Sequence, residues 1–328
     1  MTCTPQTNTT LEEIAAKLQA YNTFVICGHV SPDGDCLGSQ LALASALRQL
    51  GKEVACVLAK NEPIEANLRF LPGAQELVYA GDFVGEIDVF VGVDVPVRER
   101  IGAAQALCDQ AQVRFTIDHH AVDSTMADYV YVDPEAASTT VLIWQLCEAL
   151  PVVRKGDITT CCYTGLVTDT GCFQYQNANE QAFATALALV REGANPASIC
   201  REIFQNRSRA SLALEALTID RMLIENNGMS ALSWLTLEDF EQTGAQKADA
   251  EPLINTLRSV AGVRVACMLR QQSDGIRGSL RAKDDTDVAS IARKLGGGGH
   301  KAAAGFSLDC SLDEAISLLQ KLLAEAVC

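Results

Sequence analysis

At 328 residues the chain exceeds what one hydrophobic core ordinarily supports, so two domains of roughly 100–200 residues each are expected. A formal net charge of −15 excludes a broad basic footprint for long duplex nucleic acid, which requires many Lys and Arg contacts, and favours a short phosphate ligand met by a few local charges. Thirteen cysteines without a Cys-x-x-Cys pair, a polar start with no export signal and no run approaching ~18 apolar residues exclude a zinc ribbon and a membrane span; they predict a soluble cytoplasmic protein.

Thr10-Leu11-Glu12-Glu13 is a capping-box pattern, and Leu11, Ile14 and Leu18 share one face, which predicts an entry helix over 10–21. Short apolar runs predict strands at 24–27, 54–58, 88–93 and 113–117, and 36–50 predicts a helix stopped by Gly51. Such alternation predicts an α/β domain, a parallel sheet with helices on both faces. The stretch 158–167 reads as a helix. Residues 178–226 read as helical throughout, broken near Gly193-Ala194-Asn195-Pro196, where Asn195 can cap and Pro196 can begin the next helix. Strand-like runs at 231–235, 263–269 and 276–281, a helix at 288–295, four glycines and a final helix capped by Ser311 and Glu314 predict a smaller α+β domain. The expected division is a catalytic domain over 1–190, a helical linker over 191–227 and a second domain over 228–328.

All four histidines lie among oxygen and nitrogen donors: His29 in His29-Val-Ser-Pro-Asp33-Gly-Asp35, two in Asp118-His119-His120, and His300 after glycines 296–299. His29 follows the first expected strand, Asp94 ends the third and the Asp118 triplet follows the fourth. Open α/β sheets bind ligands at those carboxyl ends. Asp169, in Thr168-Asp169-Thr170-Gly171, closes the helical stretch before it. Taken singly, His29 is a structural histidine, Asp33 and Asp35 belong to a turn or a helix start, and Asp94 opens the turn at Pro96. Together they are harder to set aside, because a carboxylate ending Val-Phe-Val-Gly-Val is expensive to bury without a cation or strong donors. Neighbouring side chains of an extended chain face opposite ways, so His119 and His120 are expected to divide between metal and substrate.

His29, Asp33, Asp35, Asp94, His119 and Asp169 are more donors than one ion with an open position needs, which favours two ions sharing a carboxylate. Imidazole and carboxylate without thiolate suit Mn²⁺, with Mg²⁺, Co²⁺ or Fe²⁺ as substitutes. Four consecutive glycines exceed a helix stop. Glycine lets backbone amides approach an anion, so Gly297, Gly298, Gly299 and His300 are candidate phosphate contacts, although neither a Walker A nor a G-x-G-x-x-G pattern is present.

The His-x-x-x-Asp-x-Asp loop at 29–35, Asp94, the Asp118-His119-His120 triplet and the Asp169-Thr170-Gly171 turn resemble the four motifs of the DHH phosphoesterase superfamily. The Gly-Ser-Leu-Arg281 strand and the glycine–His300 segment resemble its DHH-associated nucleic-acid-binding domain, and the layout is most similar to the NrnA-type enzymes. The resemblance implies a Mn²⁺-dependent hydrolase that cuts short oligoribonucleotides or dinucleotides to mononucleotides and removes the 3′-phosphate of 3′-phosphoadenosine 5′-phosphate (pAp). It also allows a homodimer. It assigns His29, Asp33 and Asp94 to one manganese and Asp35, Asp94, His119 and Asp169 to the other, with Asp94 as the bridge. His120 would face the scissile phosphate, Asp118 would orient the histidines, and Arg281, the glycines and His300 would hold the distal phosphate or nucleotide. Val141 departs from the family, which commonly carries glutamate after Ser138-Thr139-Thr140. Rival readings are a cyclic-dinucleotide phosphodiesterase, a pyrophosphatase or polyphosphatase, which Arg281 and the glycine–His300 segment disfavour, and a nonhydrolytic nucleotide sensor, which the intact donor set disfavours.

Overall fold

The computed structural model describes residues 7–121 and 126–327, divided into two units, Met1–Asn206 and Arg207–Cys328. In the first unit the elements run α1 (Leu11–Leu18), β1 (Thr23–Cys27), α2 (Gly34–Gln49), β2 (Glu53–Leu58), β3 (Val78–Tyr79), β4 (Val89–Val93), α3 (Gln105–Gln110), β5 (Val113–Asp118), β6 (Tyr129–Val132), α4 (Thr139–Ala149), α5 (Asp157–Asp169), α6 (Glu180–Arg191) and α7 (Pro196–Phe204). The strands lie in the order β3-β2-β1-β4-β5-β6 and all pair in parallel. The four expected strands form the middle of this sheet. Successive strands step outward in opposite directions from the adjacent pair β1 and β4, so the crevice at their carboxyl ends is the topological switch point.

Alternation along the strands sends side chains to two cores. Phe24, Ile26, Val89, Val91, Phe115 and Ile117 pack with Leu37, Leu41, Val141, Ile158 and Leu166 from α2, α4 and α5. Val25, Cys27, Val57 and Phe90 pack on the opposite face with Ile101, Leu107 and Cys108. Helices therefore cover both faces. The Thr10–Glu13 capping box closes α1 as its sequence predicts. The helices α2 and α5 approach closely through glycine: a methyl group on Gly38 would lie 2.5 Å from the Cys161 carbonyl oxygen, and one on Gly165 2.3 Å from Thr140 Cγ2 and 2.8 Å from Asp35 Oδ1.

The second unit runs α8 (Arg209–Asp220), β7 (Leu223–Glu225), β8 (Ser230–Leu235), α9 (Leu237–Thr243), α10 (Leu253–Ser259), β9 (Val265–Gln272), β10 (Gly275–Ala282), α11 (Val288–Lys294), β11 (Gly298–His300), β12 (Ala303–Leu308) and α12 (Leu312–Val327). Its sheet has the order β11-β12-β10-β9-β8-β7, with β8 and β9 parallel and the other pairs antiparallel. Leu232, Val265, Cys267, Leu269 and Leu280 pack toward α11 and α12. Ala231, Leu235, Ala266 and Met268 pack toward α8 and α10.

One expectation is corrected here. Residues 178–226 are not helical throughout, because Leu223–Glu225 pairs with Ser230–Leu232 as a hairpin. Asn226 and Asn227 turn it with φ of 55° and 56°, the left-handed conformation that Asn tolerates and a tight hairpin demands. Part of the glycine run is strand. Gly296 follows α11 at φ 73°, and Gly298–His300 pairs antiparallel with β12. Gly299 sits at φ 139°, and a methyl group on Gly297 would lie 2.2 Å from the Gly305 carbonyl oxygen.

Candidate metal centre

Five segments of the first unit converge at the switch point. After β1 the chain turns through His29 to Asp33, which caps α2: Asp33 Oδ1 accepts from the amides of Asp35 (3.1 Å) and Cys36 (3.0 Å). Its other oxygen lies 3.8 Å from His29 Nε2. The capping role open to Asp35 in the sequence thus falls to Asp33, while Asp35, only 1% exposed, turns inward. Asp35 accepts from the amides of Thr139 (2.7 Å) and Thr140 (2.9 Å) at the start of α4. Ser138 makes no side-chain capping bond, so a carboxylate from another helix satisfies donors that a helix start leaves open.

Asp94 directly follows β4. It is 2% exposed, with φ 54°, a conformation costly to most side chains and tolerated best by Gly, Asn and Asp. Asp94 Oδ2 stands 3.4 Å from His29 Nε2, and Thr139 Oγ1 donates to Oδ1 at 3.1 Å. At the end of β5 the buried Asp118 accepts on Oδ1 from the amides of His119 (2.8 Å) and His120 (3.2 Å) and from His120 Nδ1 at 2.6 Å. That commits one nitrogen of His120 and fixes its ring. His119 is held by a different partner. Its Nδ1 faces the Ala136 carbonyl oxygen at 3.2 Å, which can only accept, so Nδ1 is the donor and Nε2 is directed at carboxylates. Nε2 lies 3.7 Å from Asp94 Oδ1, 3.9 Å from Asp35 Oδ2 and 3.8 Å from Asp169 Oδ2. Asp169, the last residue of α5, is held by Asn177, whose Nδ2 donates to its Oδ2 at 3.3 Å and to the Ala137 carbonyl at 2.9 Å.

The structure therefore brings His29, Asp33, Asp35, Asp94, His119, His120 and Asp169 together, with Asp118 behind the histidines. Two donor sets, Asp94–His119–His120 and Asp35–His119–Asp169, each have ligand atoms within 4.8 Å of one another, as does a third, His29–Cys36–Asp94. Thr139, Asn177 and Cys36 were not in the sequence-derived inventory. Thr139 had a signal in the Ser-Thr-Thr preceding an apolar stretch; Asn177 had none.

The electrostatics are those of a site short of positive charge. Burial by itself would raise the Asp94 carboxyl, but His29, His120 and His119 outweigh it and hold it below the usual carboxylate range. Asp35 moves the other way: burial, then the charges of Asp94 and Asp169, push it well above its ordinary value. Burial likewise lifts Asp169, to about 7. Burial would lower His119, yet Asp169, Asp35 and Asp94 prevail and raise it to about 9. His120 is also raised, its burial overcome by the bond to Asp118. Protons favoured on Asp35, Asp169 and the two histidines offset part of the crowded negative charge. A divalent cation can take their place, and oxygen with imidazole donors fits such an ion.

In the second unit Arg281 lies on β10, its Nη1 donating to the Leu280 carbonyl oxygen at 3.0 Å. Strand register places Arg281 opposite Ala303 and Ala303 opposite His300, so residues 281 and 300 stand in one cross-strand row. The side chain of His300 lies outside what is described. Gly297, Gly298 and Gly299 lie beside this row; Gly296 and Gly299 are required by backbone conformation and Gly297 by close approach.

Carboxylates and imidazoles gathered at the switch point of an α/β sheet suit hydrolysis of a phosphoester with the help of divalent ions, and the match to known families agrees. The chain belongs to the DHH family of phosphoesterases: residues 23–166 match the DHH family N-terminal domain and residues 231–325 the DHHA1 domain. It is 30% identical over 301 residues to the bifunctional oligoribonuclease and PAP phosphatase NrnA of Thermus thermophilus, covering 92% of this chain and 89% of that one. It is 27% identical over 324 residues to the protein of the same name from Bacillus subtilis, covering 96% and 98%. A crystal structure of an exopolyphosphatase-related protein from Bacteroides fragilis aligns with a TM-score of 0.90, 26% identity and 96% coverage of both chains.

Proposed function

We propose that this phosphoesterase hydrolyses short oligoribonucleotides and dinucleotides to mononucleotides and removes the 3′-phosphate of pAp, using two Mn²⁺ ions in a reducing cytoplasm. The observation that carries the reading is the position of Asp94, with one oxygen toward His29 (3.4 Å) and the other toward His119 (3.7 Å) and His120 (3.6 Å). A carboxylate so placed suits the bridge between two ions. His29 and Asp33 would complete one ion's shell, and Asp35, His119 and Asp169 the other's. When bound, the ions supply an acidified water and positive charge for the phosphoryl oxygens.

The rest of the work falls to the protein. Thr139 and Thr140 hold Asp35, Thr139 also holds Asp94, and Asn177 holds Asp169, so three carboxylates keep their aim before any ion arrives. Asp118 fixes His120 and raises its proton affinity, which suits it to donate to the scissile phosphate or its leaving oxygen. Arg281, Gly297, Gly298, Gly299 and His300 would grip a second phosphate or nucleotide. No helix among the described residues is long and apolar enough to cross a membrane, and the described cysteines are free thiols, in keeping with a reducing compartment. The names of the two NrnA relatives support the substrate assignment.

Metal-stripped protein reloaded with Mn²⁺ should turn over a diribonucleotide and pAp, and should do so better than protein reloaded with Zn²⁺ or Ca²⁺. Cyclic di-AMP and pyrophosphate belong in the same assay. Activity confined to either of those two would overturn the substrate assignment.

A further inference from the structure

Cys36 has no part in the hydrolysis proposed above, yet it is fully buried in the first turn of α2, next to Asp35. Its Sγ, a ring nitrogen of His29 and a carboxylate oxygen of Asp94 all lie within 4.8 Å of one another. A Cβ built on Gly28 would stand 2.1 Å from this sulphur, so only a glycine at 28 leaves the thiol its place beside the His29 loop. A second observation concerns His29 itself. It is 6% exposed, and its Nδ1 is buried without a hydrogen-bond partner. Histidines that ligate metal are ordinarily aimed by a bond from the other nitrogen, as His119 is by the Ala136 carbonyl; the His29 ring lacks such a bond at Nδ1.

The halves of the centre consequently differ in chemistry. Asp35, His119 and Asp169 offer two carboxylates and one imidazole. The other half offers an imidazole from His29 and carboxylates from Asp33 and Asp94, and there Cys36 adds a sulphur. Sulphur selects borderline and soft ions over Mn²⁺, and Zn²⁺ binds such mixed donors tetrahedrally.

We propose that His29, Cys36 and Asp94 form a thiophilic site for Zn²⁺ or Cd²⁺ that overlaps the His29 half of the centre and competes with Mn²⁺ there. This rests on reading the cluster as a metal centre. Bonds of about 2.0–2.3 Å hold the donors of a tetrahedral ion roughly 3.5 Å apart, so atoms that now lie within 4.8 Å of one another need draw together by no more than about 1.3 Å. The metal–sulphur bond forms as the S–H bond breaks, and the proton passes to solvent. With Asp94 drawn to that ion, the shared carboxylate leaves its bridging position, and Zn²⁺ becomes an inhibitor of the Mn²⁺ enzyme.

The test is titration of the full-length, metal-stripped protein with Cd²⁺, read by the ultraviolet sulphur-to-cadmium charge-transfer band and by equilibrium dialysis. The wild type should develop the band with one equivalent of Cd²⁺, and Cys36→Ser should lose it together with at least tenfold in affinity at that site. A band of equal size in the folded variant would assign it to other cysteines and overturn the proposal. Should Cys36→Ser fail to fold, X-ray absorption of the Zn²⁺-loaded wild type decides: one sulphur in the ion's shell is expected, and a shell of nitrogen and oxygen alone would be fatal. Mn²⁺ binding without sulphur at Zn²⁺ would sink this inference and leave the metal centre standing. Failure to bind any divalent ion would remove both.

Discussion

Asp94 combines burial, a left-handed backbone and contact with three histidines, so the choice of substitution matters. Asparagine tolerates the same backbone conformation and removes only the charge. Asp94→Asn should keep the circular dichroism of the parent and lose all turnover. Its ion affinity should fall by more than the roughly 10–100-fold typical of losing a group behind the ligands. Full ion content with normal turnover in that variant would refute the bridging role. Asp118 tests the opposite case. Asp118→Asn should retain ions in calorimetry while kcat falls by roughly 10²–10⁴-fold, the range that general acid–base groups contribute; ions lost in step with kcat would make Asp118 a ligand.

Proton linkage follows from the same residues. Asp169, raised to about 7, and His119, raised to about 9, must each lose a proton before ligating. Both folded-state values exceed the unfolded ones. The protonated forms therefore stabilise the ion-free fold at low pH, and that contribution is lost as pH rises through 7 and toward 9. Mn²⁺ affinity should climb across that window, and the gain in Tm on adding Mn²⁺ should widen with it. A Tm gain independent of pH would show that no protons are displaced.

Elements carry these residues by close approach as much as by hydrogen bonds. Gly165 on α5 leaves space for Thr140 and Asp35 at distances no Cβ permits. Gly165→Ala should destabilise the fold by about 1–3 kcal/mol in chemical denaturation, as overpacking does. Because the methyl group presses on Asp35, ion affinity should fall as well. Lost stability with unchanged affinity would separate Asp35 from the centre.

What the sequence disclosed about these elements follows their burial. Strands β1 and β4 are apolar runs buried along nearly their whole length, and β5 is buried from Phe115 onward; these were legible without any partner, and their ends pointed to His29, Asp94 and the Asp118 triplet. Strand β3 has only two residues, too few for periodicity, and β6 alternates between half-buried and buried positions. Helix α4 escaped because residues 139–144 are all buried, which leaves its first half without the polar face that marks an amphipathic helix. With α4 went the amides of Thr139 and Thr140, which reach Asp35, and the Thr139 hydroxyl, which reaches Asp94 across 45 positions of sequence; no local pattern encodes such meetings. The Asn226-Asn227-Gly228 turn was missed, because its hairpin chemistry begins inside the stretch read as helical, whereas the structure turns a hairpin there. Val141 in place of the common glutamate is fully buried, directly after the Thr140 amide that holds Asp35.

At the scale of the whole molecule, a chain of net charge −15 must hold anionic substrates with few cations, and Arg281 is the one whose removal is most informative. Arg281→Ala should weaken nucleotide substrates by roughly 1.5–3 kcal/mol, a fall in kcat/KM of about tenfold to a hundredfold, if it meets a phosphate directly. Hydrolysis of bis-p-nitrophenyl phosphate, too small to need a distal grip, should scarcely change. Equal losses on both would place Arg281 at the reacting centre or in the fold. The proposed ligands and His120 all precede residue 206, and the proposed substrate contacts all follow residue 207, the border between the two units. On that proposed division, inheritance would act on the chain in two separate currents: recombination or drift in the later segment would redirect which molecule is cut, generation after generation, while the earlier segment passed on unchanged the means of cutting it.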